Sequence, residues 1–324
     1  MIVTDRIYGK VKIEEPVLLE LIHSQPVQRL KKINQAGASQ YLFTWKDVSR
    51  YEHCIGVMLL LRKFGASLDE QIAGLLHDVP HTAFSHVIDF VFENKNHEFH
   101  EQFHEQIIID SEIKQILSKY KIPANVAHPE NFSLLERKIP DLCADRIDYA
   151  LRDLFIYNHD LESVRAKLNG LKVVDNEFIF ANIYAAESFA RDYLSQDKHA
   201  WSDPRESALY MILAQAIRHA LDKNILNIKD LFTDDAEVYQ ILQKHGDAYI
   251  QKKLGFMTPA FRIEPASLNH YHLFIKTKIR HVDPKVLSNG KLTRVSQISP
   301  KYKAQMENHL KEGNQGWYVL VYAK

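Results

Sequence analysis

The chain has 324 residues, 46% hydrophobic and 25% charged, an ordinary globular composition with length for one large or two modest domains. Its 41 Lys and Arg balance 41 Asp and Glu, so no overall basic field marks nucleic acid or an anionic membrane as the main partner. The start, MIVTDRIYGKVKIEE, lacks an apolar leader core, no stretch is long and apolar enough for a membrane span, and Cys54 and Cys143 lack CxxC spacing. A cytoplasmic chain with reduced thiols is the expectation.

Along the chain, Ile7 to Ile13 alternates around Gly9 and predicts a short strand or hairpin, and Glu15-Pro16 opens the first helix. Val17, Leu18, Leu21 and Ile22 recur at helical spacing. So do Ile55, Met58, Leu59 and Arg62, and then Ile72, Leu75, Leu76 and Val79, which reads as helices on one core. Gly37, Thr44 to Ser49 and Gly65 to Ser67 are expected as loops, the last followed by Asp69 and Glu70 at a helix start. Pro80 should interrupt the helix carrying His77, with a new helix starting close by. Further helices are expected over Lys114 to Tyr120, Leu134 to Ile139, Leu142 to Leu154 and from Ile183 to about Leu226, with a hairpin turning at Asp175-Asn176. Strands are expected over His272 to Val282 and Trp317 to Tyr322. The result is a mainly α fold with a small α+β appendage after about residue 255.

Seventeen histidines stand out, many bunched between His53 and His104, and His is both a common transition-metal ligand and a physiological proton carrier. RYEHCIGV holds His53; LLHDVPHTAFSHVID holds His77, Asp78, His81, His86 and Asp89; CADRIDYALRD holds Asp145, Asp148 and Asp153. Two imidazoles and two carboxylates converging from three helices make a mixed nitrogen and oxygen site for Mn, Fe, Mg or Zn, with positions open to water or a phosphate oxygen. His86 and Asp89, three apart, touch if they share a helix, an arrangement that fixes a histidine tautomer.

The set H…HD…D, with RYEH, HDxxHxxFSHxxD and DRxDYxxRD, resembles the HD-domain metal-dependent phosphohydrolases, and within them the deoxynucleoside triphosphate triphosphohydrolases. IYGKVKI and QRLKKINQAG extend the likeness over about residues 5 to 155. The resemblance implies an HD-domain helical bundle: a catalytic core over 1–160, a helical extension over 161–255 and the α+β region over 256–324. It makes His53, His77, Asp78 and Asp145 the ligands of a divalent metal ion, and places His81, His86 and Asp89 at the α-phosphate. A further catalytic His lies in an HE pair, for which NHEFHEQFHEQ offers His97, His100 and His104; spacing to Ser111-Glu112-Ile113 favours His100. By the same resemblance Arg50 and Arg146 grip the triphosphate, and Gln35, Tyr149 and Asp153 read the sugar and its 3′-hydroxyl. The basic group Arg29, Lys31 and Lys32 is expected to be a solvated helix face.

This chain departs from the common HD-(Leu/Ile)-Gly-His-Gly-Pro pattern, since Pro80 and Thr82 replace glycines at the mouth of the site. The first expectation is hydrolysis of a (deoxy)nucleoside triphosphate to nucleoside and triphosphate. A nucleotide monophosphatase or phosphodiesterase of the same superfamily is the second, and a nucleotide-sensing protein with a structural metal the third. Self-association follows from the resemblance alone.

Overall fold

A computed structural model of the chain describes residues 1–93, 99–288, 290–313 and 315–323, among which helix predominates. Strands β1 (Ile2–Asp5) and β2 (Gly9–Lys12) form the expected antiparallel hairpin, although the first strand lies earlier than the alternation suggested and Ile7 sits in the turn. Helix α1 (Pro16–His23) opens on its proline and buries Val17, Leu18, Leu21 and Ile22. It is followed by α2 (Gln25–Arg29). Helix α3 (Arg50–Lys63) is capped by Ser49, whose hydroxyl accepts the Glu52 N–H, and α4 (Leu68–Leu76) by Ser67, which accepts from Glu70. From His53 to Leu61 every residue of α3 is buried, which makes it the central helix of the bundle. On it pack α4 and α8 (Ala144–Asn158), reached through α5 (Val87–Val91), α6 (His104–Asp110) and α7 (Glu112–Lys119).

After α9 (Leu161–Gly170), strands β3 (Leu171–Val174) and β4 (Glu177–Phe180) turn at Asp175 and Asn176, both left-handed (φ 49° and 55°), as a two-residue hairpin requires. Helices α10 (Ile183–Gln196) and α11 (Pro204–Asp222) are separated by a π-turn at Asp197–Trp201, and α12 (Asp235–His245) and α13 (Ala248–Leu254) follow. In the C-terminal region β5 (Arg262–Pro265) and β6 (Leu273–Ile275) flank β9 (Trp317–Tyr322) in an antiparallel sheet. Strand β7 (Lys285–Ser288) adds in parallel to β4 and carries β8 (Lys291–Arg294); α14 (Val295–Ile298) and α15 (Pro300–Gly313) complete the chain. Val286 and Tyr302 share one buried cluster with Leu151 and Phe180, while Ile275 and Val319 share another with Phe84 and Leu213. Among the described residues no helix is long and apolar enough to cross a membrane.

Three local expectations change. Leu134 to Ile139 is not helical: the N–H groups of Leu134 and Leu135 donate to Glu70 Oε1 (3.0 and 3.2 Å), and Pro140 disfavours helix in the residue before it. The strand over His272 to Val282 shrinks to Leu273–Ile275, because beyond it the backbone bonds elsewhere: Arg280 N–H to Asp197 Oδ2 (3.1 Å), Asp283 N–H to Pro140 O (2.9 Å). The helix carrying His77 ends at Leu76, ahead of Pro80, but the next begins only at Val87.

Candidate active site

His53 projects from α3, His77 caps α4 with Asp78 following it, and Asp145 lies in the first turn of α8. The ligand atoms of His53, His77 and Asp78 all fall within 4.8 Å of one another, and Asp145 Oδ1 lies 3.0 Å from His53 Nε2 and 3.7 Å from His77 Nε2. Both rings are oriented from behind: His53 Nδ1 donates to Asp148 Oδ2 (2.8 Å) and His77 Nδ1 to Gly74 O (2.8 Å), which turns each Nε2 towards the carboxylates. His77 Nε2 is buried without a hydrogen-bond partner among the described residues. Two oriented imidazoles, two carboxylates and one orphaned buried nitrogen fit a divalent ion that accepts nitrogen and oxygen ligands.

The electrostatics agree. Burial pushes the Asp78 carboxyl up, but Arg50, His77 and His53 outweigh it and hold the group well below the usual carboxylate range. Burial likewise disfavours charge on His53 and His77, yet the surrounding aspartates raise the proton affinity of both rings. A cluster that draws protons onto two histidines draws a metal cation for the same reason.

Behind His53 lies a layer to which the sequence reading gave no role. Asp148, fully buried, accepts from His53, from the Tyr8 hydroxyl (2.8 Å) and from Arg152 Nε (2.6 Å), and Arg152 also reaches Asp5 (2.8 Å) and Glu52 (3.0 Å). The signal was present in DRxDYxxRD, where Asp148 falls three residues after Asp145 and Arg152 four after Asp148, on one helical face.

The second group of histidines lies beside the first. His81 Nε2 is 3.5 Å from Asp78 Oδ1, and its ring stacks on His100 with centroids 3.6 Å apart. His86 stands 5.1 Å from His81 and 5.8 Å from His100, and its Nδ1 donates to Asp89 Oδ2 (2.9 Å), whose other oxygen accepts the Phe99 N–H (3.1 Å). His104 lies farther out, beside Leu76 O (3.3 Å) and the His128 ring, and His97 lies outside the described residues. Burial, then Arg50 and neighbouring imidazoles, keeps His81 neutral; burial and neighbouring cations act likewise on His86, and burial brings His100 down to about 3. These residues are held on a strained turn: Phe84 and Ser85 are both left-handed (φ 60° and 52°), locked by Asp235 Oδ1 accepting the Phe84 N–H and by Ser85 bonding Asn34 O and Arg50 Nε.

The remaining predicted residues converge on one cavity of about 1170 Å³ whose floor is formed by these histidines. Gln35 lines it with a buried Oε1 that has no partner. Tyr149 shares a hydrogen bond with the Tyr193 hydroxyl, and half-buried Asp153 accepts the Trp201 indole N–H (2.6 Å). Arg50 and Arg146 line it too, but Arg50 is bound to Asp78 (2.6 Å) and Arg146 to Glu136 (2.9 Å). Arg29 corrects an expectation: it is no solvated face residue, since it donates to Val79 O (2.7 Å) and His81 O (2.8 Å) and braces the turn that carries His81.

The family model described as HD domain matches residues 50–153. An uncharacterized protein of Bacillus subtilis, YdhJ, is 38% identical over 99% of both chains. The metal-dependent phosphohydrolase cns2 of Cordyceps militaris is 32% identical over 90% of this chain and 86% of its own. The deoxynucleoside triphosphate triphosphohydrolase SAMHD1 of Bos taurus is 33% identical, but over only 27% of this chain and 17% of its own. Among solved structures, a phosphohydrolase of Bacteroides thetaiotaomicron superposes with a TM-score of 0.75 over the whole of both chains at 17% identity, a likeness of fold. Together with the oriented His and Asp cluster, these matches settle the family: the chain belongs to the HD-domain metal-dependent phosphohydrolases.

Proposed function

We propose that the chain cleaves (deoxy)nucleoside triphosphates to nucleoside and inorganic triphosphate. The observation that carries this reading is the trio His81, His86 and His100, with Asp89 behind it, set directly against the His53, His77, Asp78 and Asp145 cluster in a cavity of nucleotide size. A metal-binding site of purely structural purpose has no need of that trio. A triphosphohydrolase, SAMHD1 of Bos taurus, is also among the relatives, at 33% identity over 27% of this chain.

In this reading His53, His77, Asp78 and Asp145 hold the divalent ion, which when bound polarises a phosphoryl oxygen and activates water. Asp89 fixes the His86 ring through Nδ1. Burial, Arg50 and Arg280 keep that ring neutral, and the negative charge of a bound phosphate offsets the two arginines, so that His86 takes up and delivers a proton at the leaving oxygen. His100, stacked on His81, holds the second imidazole in plane beside the α-phosphate. Arg50 and Arg146 bind phosphate oxygens by exchanging their present carboxylate partners. Tyr149 faces the ribose 2′ position and excludes an added hydroxyl, and Asp153 and Gln35 read the 3′-hydroxyl. Self-association belongs to the same proposal, and light scattering of the purified chain measures it.

The test is product identity. The protein is reconstituted with Mn, Fe, Mg or Zn and incubated with dNTPs, NTPs, NMPs and cyclic dinucleotides, and products are identified by chromatography and mass spectrometry. Free deoxynucleoside with intact triphosphate is the expected result. Orthophosphate or a linear dinucleotide moves the chain to the monophosphatase or phosphodiesterase reading, and no turnover with any metal moves it to a nucleotide sensor.

A further inference from the structure

The strap joining β6 to β7, residues 276–284, pairs with neither sheet, and it brings two cations that the sequence motifs do not include, Lys278 and Arg280, to the wall of the cavity. Its backbone is anchored from the side away from the histidines. Arg280 N–H donates to Asp197 Oδ2 (3.1 Å), and His309 Nε2 on α15 donates to the same oxygen (2.7 Å). Asp197 is fully buried in the π-turn after α10, a placement that fixes the strap to the helical bundle. At the far end Asp283 N–H bonds Pro140 O (2.9 Å), and the Asp283 carboxylate accepts from Ser296 N–H (2.9 Å) and Oγ (2.5 Å).

The charges around the cavity are unevenly matched. Lys46 is answered by Glu206, Arg50 by Asp78, Arg146 by Glu136 and Arg137 by Glu177. Arg280 is half-buried, yet its guanidinium makes one long contact, to Lys278 O (3.4 Å), and no ion pair with a carboxylate among the described residues. It lines the same cavity as His86, Tyr149, Tyr193 and Tyr210. A partly desolvated guanidinium with no counter-ion among the described residues is stabilised by an anion that enters, and its planar fork matches phosphate oxygens.

We propose that Arg280 binds the phosphate chain of the substrate, so that the C-terminal strap supplies a phosphate-binding cation that pairs with no carboxylate among the described residues. The assignment rests on the reading of the cavity as a polyphosphate-cleaving site, but it is tested apart from turnover. Inorganic tripolyphosphate is titrated calorimetrically into the full-length protein, with metal content measured in parallel, for the unmodified chain and for Arg280→Gln, Arg280→Lys and Lys276→Gln. Lys276 is exposed on the same strap and does not line the cavity.

Arg280→Gln is expected to weaken tripolyphosphate binding by about 10- to 100-fold at unchanged melting temperature and metal content. Arg280→Lys restores part of the affinity, and Lys276→Gln leaves it unchanged. Equal affinity in Arg280→Gln and the unmodified chain overturns the proposal, as does absence of tripolyphosphate binding to the unmodified chain. If the unmodified chain releases orthophosphate from nucleotides while Arg280→Gln still loses anion affinity, the triphosphohydrolase reading falls and the assignment of Arg280 stands.

Discussion

Asp148 shows how much of this site is decided one atom behind the residues that define it. Its carboxylate is the common acceptor of His53, Tyr8 and Arg152, so it sets the tautomer of one imidazole and answers a buried guanidinium at the same time. Asp148→Asn is therefore expected to weaken metal affinity by about 10- to 100-fold, measured by competition with a chromogenic chelator. An unchanged affinity would show that His53 is oriented by something else. The His86–Asp89 pair makes a contrasting prediction. Asp89→Asn removes the acceptor that fixes His86, so activity is expected to fall by about 10²- to 10⁴-fold while bound metal, determined by elemental analysis, stays at the unmodified level. Loss of metal together with activity would place the pair in the ion-binding layer instead.

At the scale of elements, the site depends on how closely α3 and α8 approach. Gly56 on α3 faces the Arg152 guanidinium and the Asp148 carboxylate, and a Cβ there collides with both. Gly56→Ala forces apart the helices that carry His53 and Asp145, and is expected to destabilise the chain by about 1–3 kcal/mol, seen as a lower midpoint in denaturant. A variant as stable as the unmodified chain would mean that Arg152 has room to move. The turn from His77 to His86 depends equally on distant elements. Arg29 on α2 holds two of its carbonyls and Asp235 on α12 holds the Phe84 N–H, so two left-handed, non-glycine residues persist between His81 and His86. Pro80 and Thr82, which depart from the glycine-rich family pattern, sit in this braced turn.

At the scale of the whole molecule, His53 and His77 on one side and His81, His86, His100 and His104 on the other have opposite pH behaviour. His53 and His77 bind protons more tightly in the folded chain than an ordinary histidine does, so without metal their contribution to stability is complete below about pH 6.5 and is lost as pH rises through their folded values. His81, His86, His100 and His104 are shifted the other way, chiefly by burial, His104 down to about 4. Below about pH 6.5 the unfolded chain takes protons on these positions that the folded chain refuses, so stability falls as pH drops, by up to about 1.4 kcal/mol per pH unit for each. His104→Gln removes one such position. The stability advantage of the unmodified chain over this variant is expected to shrink steadily from pH 6.5 to pH 4, by chemical denaturation at each pH. A difference that stays flat across this window would mean that His104 is protonated in the fold.

The local chemistry of the chain determined the composition of the site and most of its helices. Pro16, Ser49 and Ser67 start helices wherever they stand, the pair Asp175-Asn176 turns a hairpin by its own tolerance of left-handed backbone, and residues three and four apart share a helical face whatever surrounds them. Hence His53, His77, Asp78, Asp145 and the His86–Asp89 pair were legible as words. Only the tertiary structure decided the rest, because it turns on partners far away in sequence. Glu70 fixed the start of the Leu134 to Ile139 segment and Pro140 disfavoured helix at its end, and Asp197 and Pro140 took the backbone that would have extended β6. Long-range bonds likewise set Arg29 against carbonyls, tied Arg50 and Arg146 to carboxylates and brought Arg280 from the C-terminal region to the wall of a cavity whose histidines come from the N-terminal half. A side chain's charge is written in the sequence, but whether a carboxylate or an open cavity faces it is fixed only when the chain closes on itself.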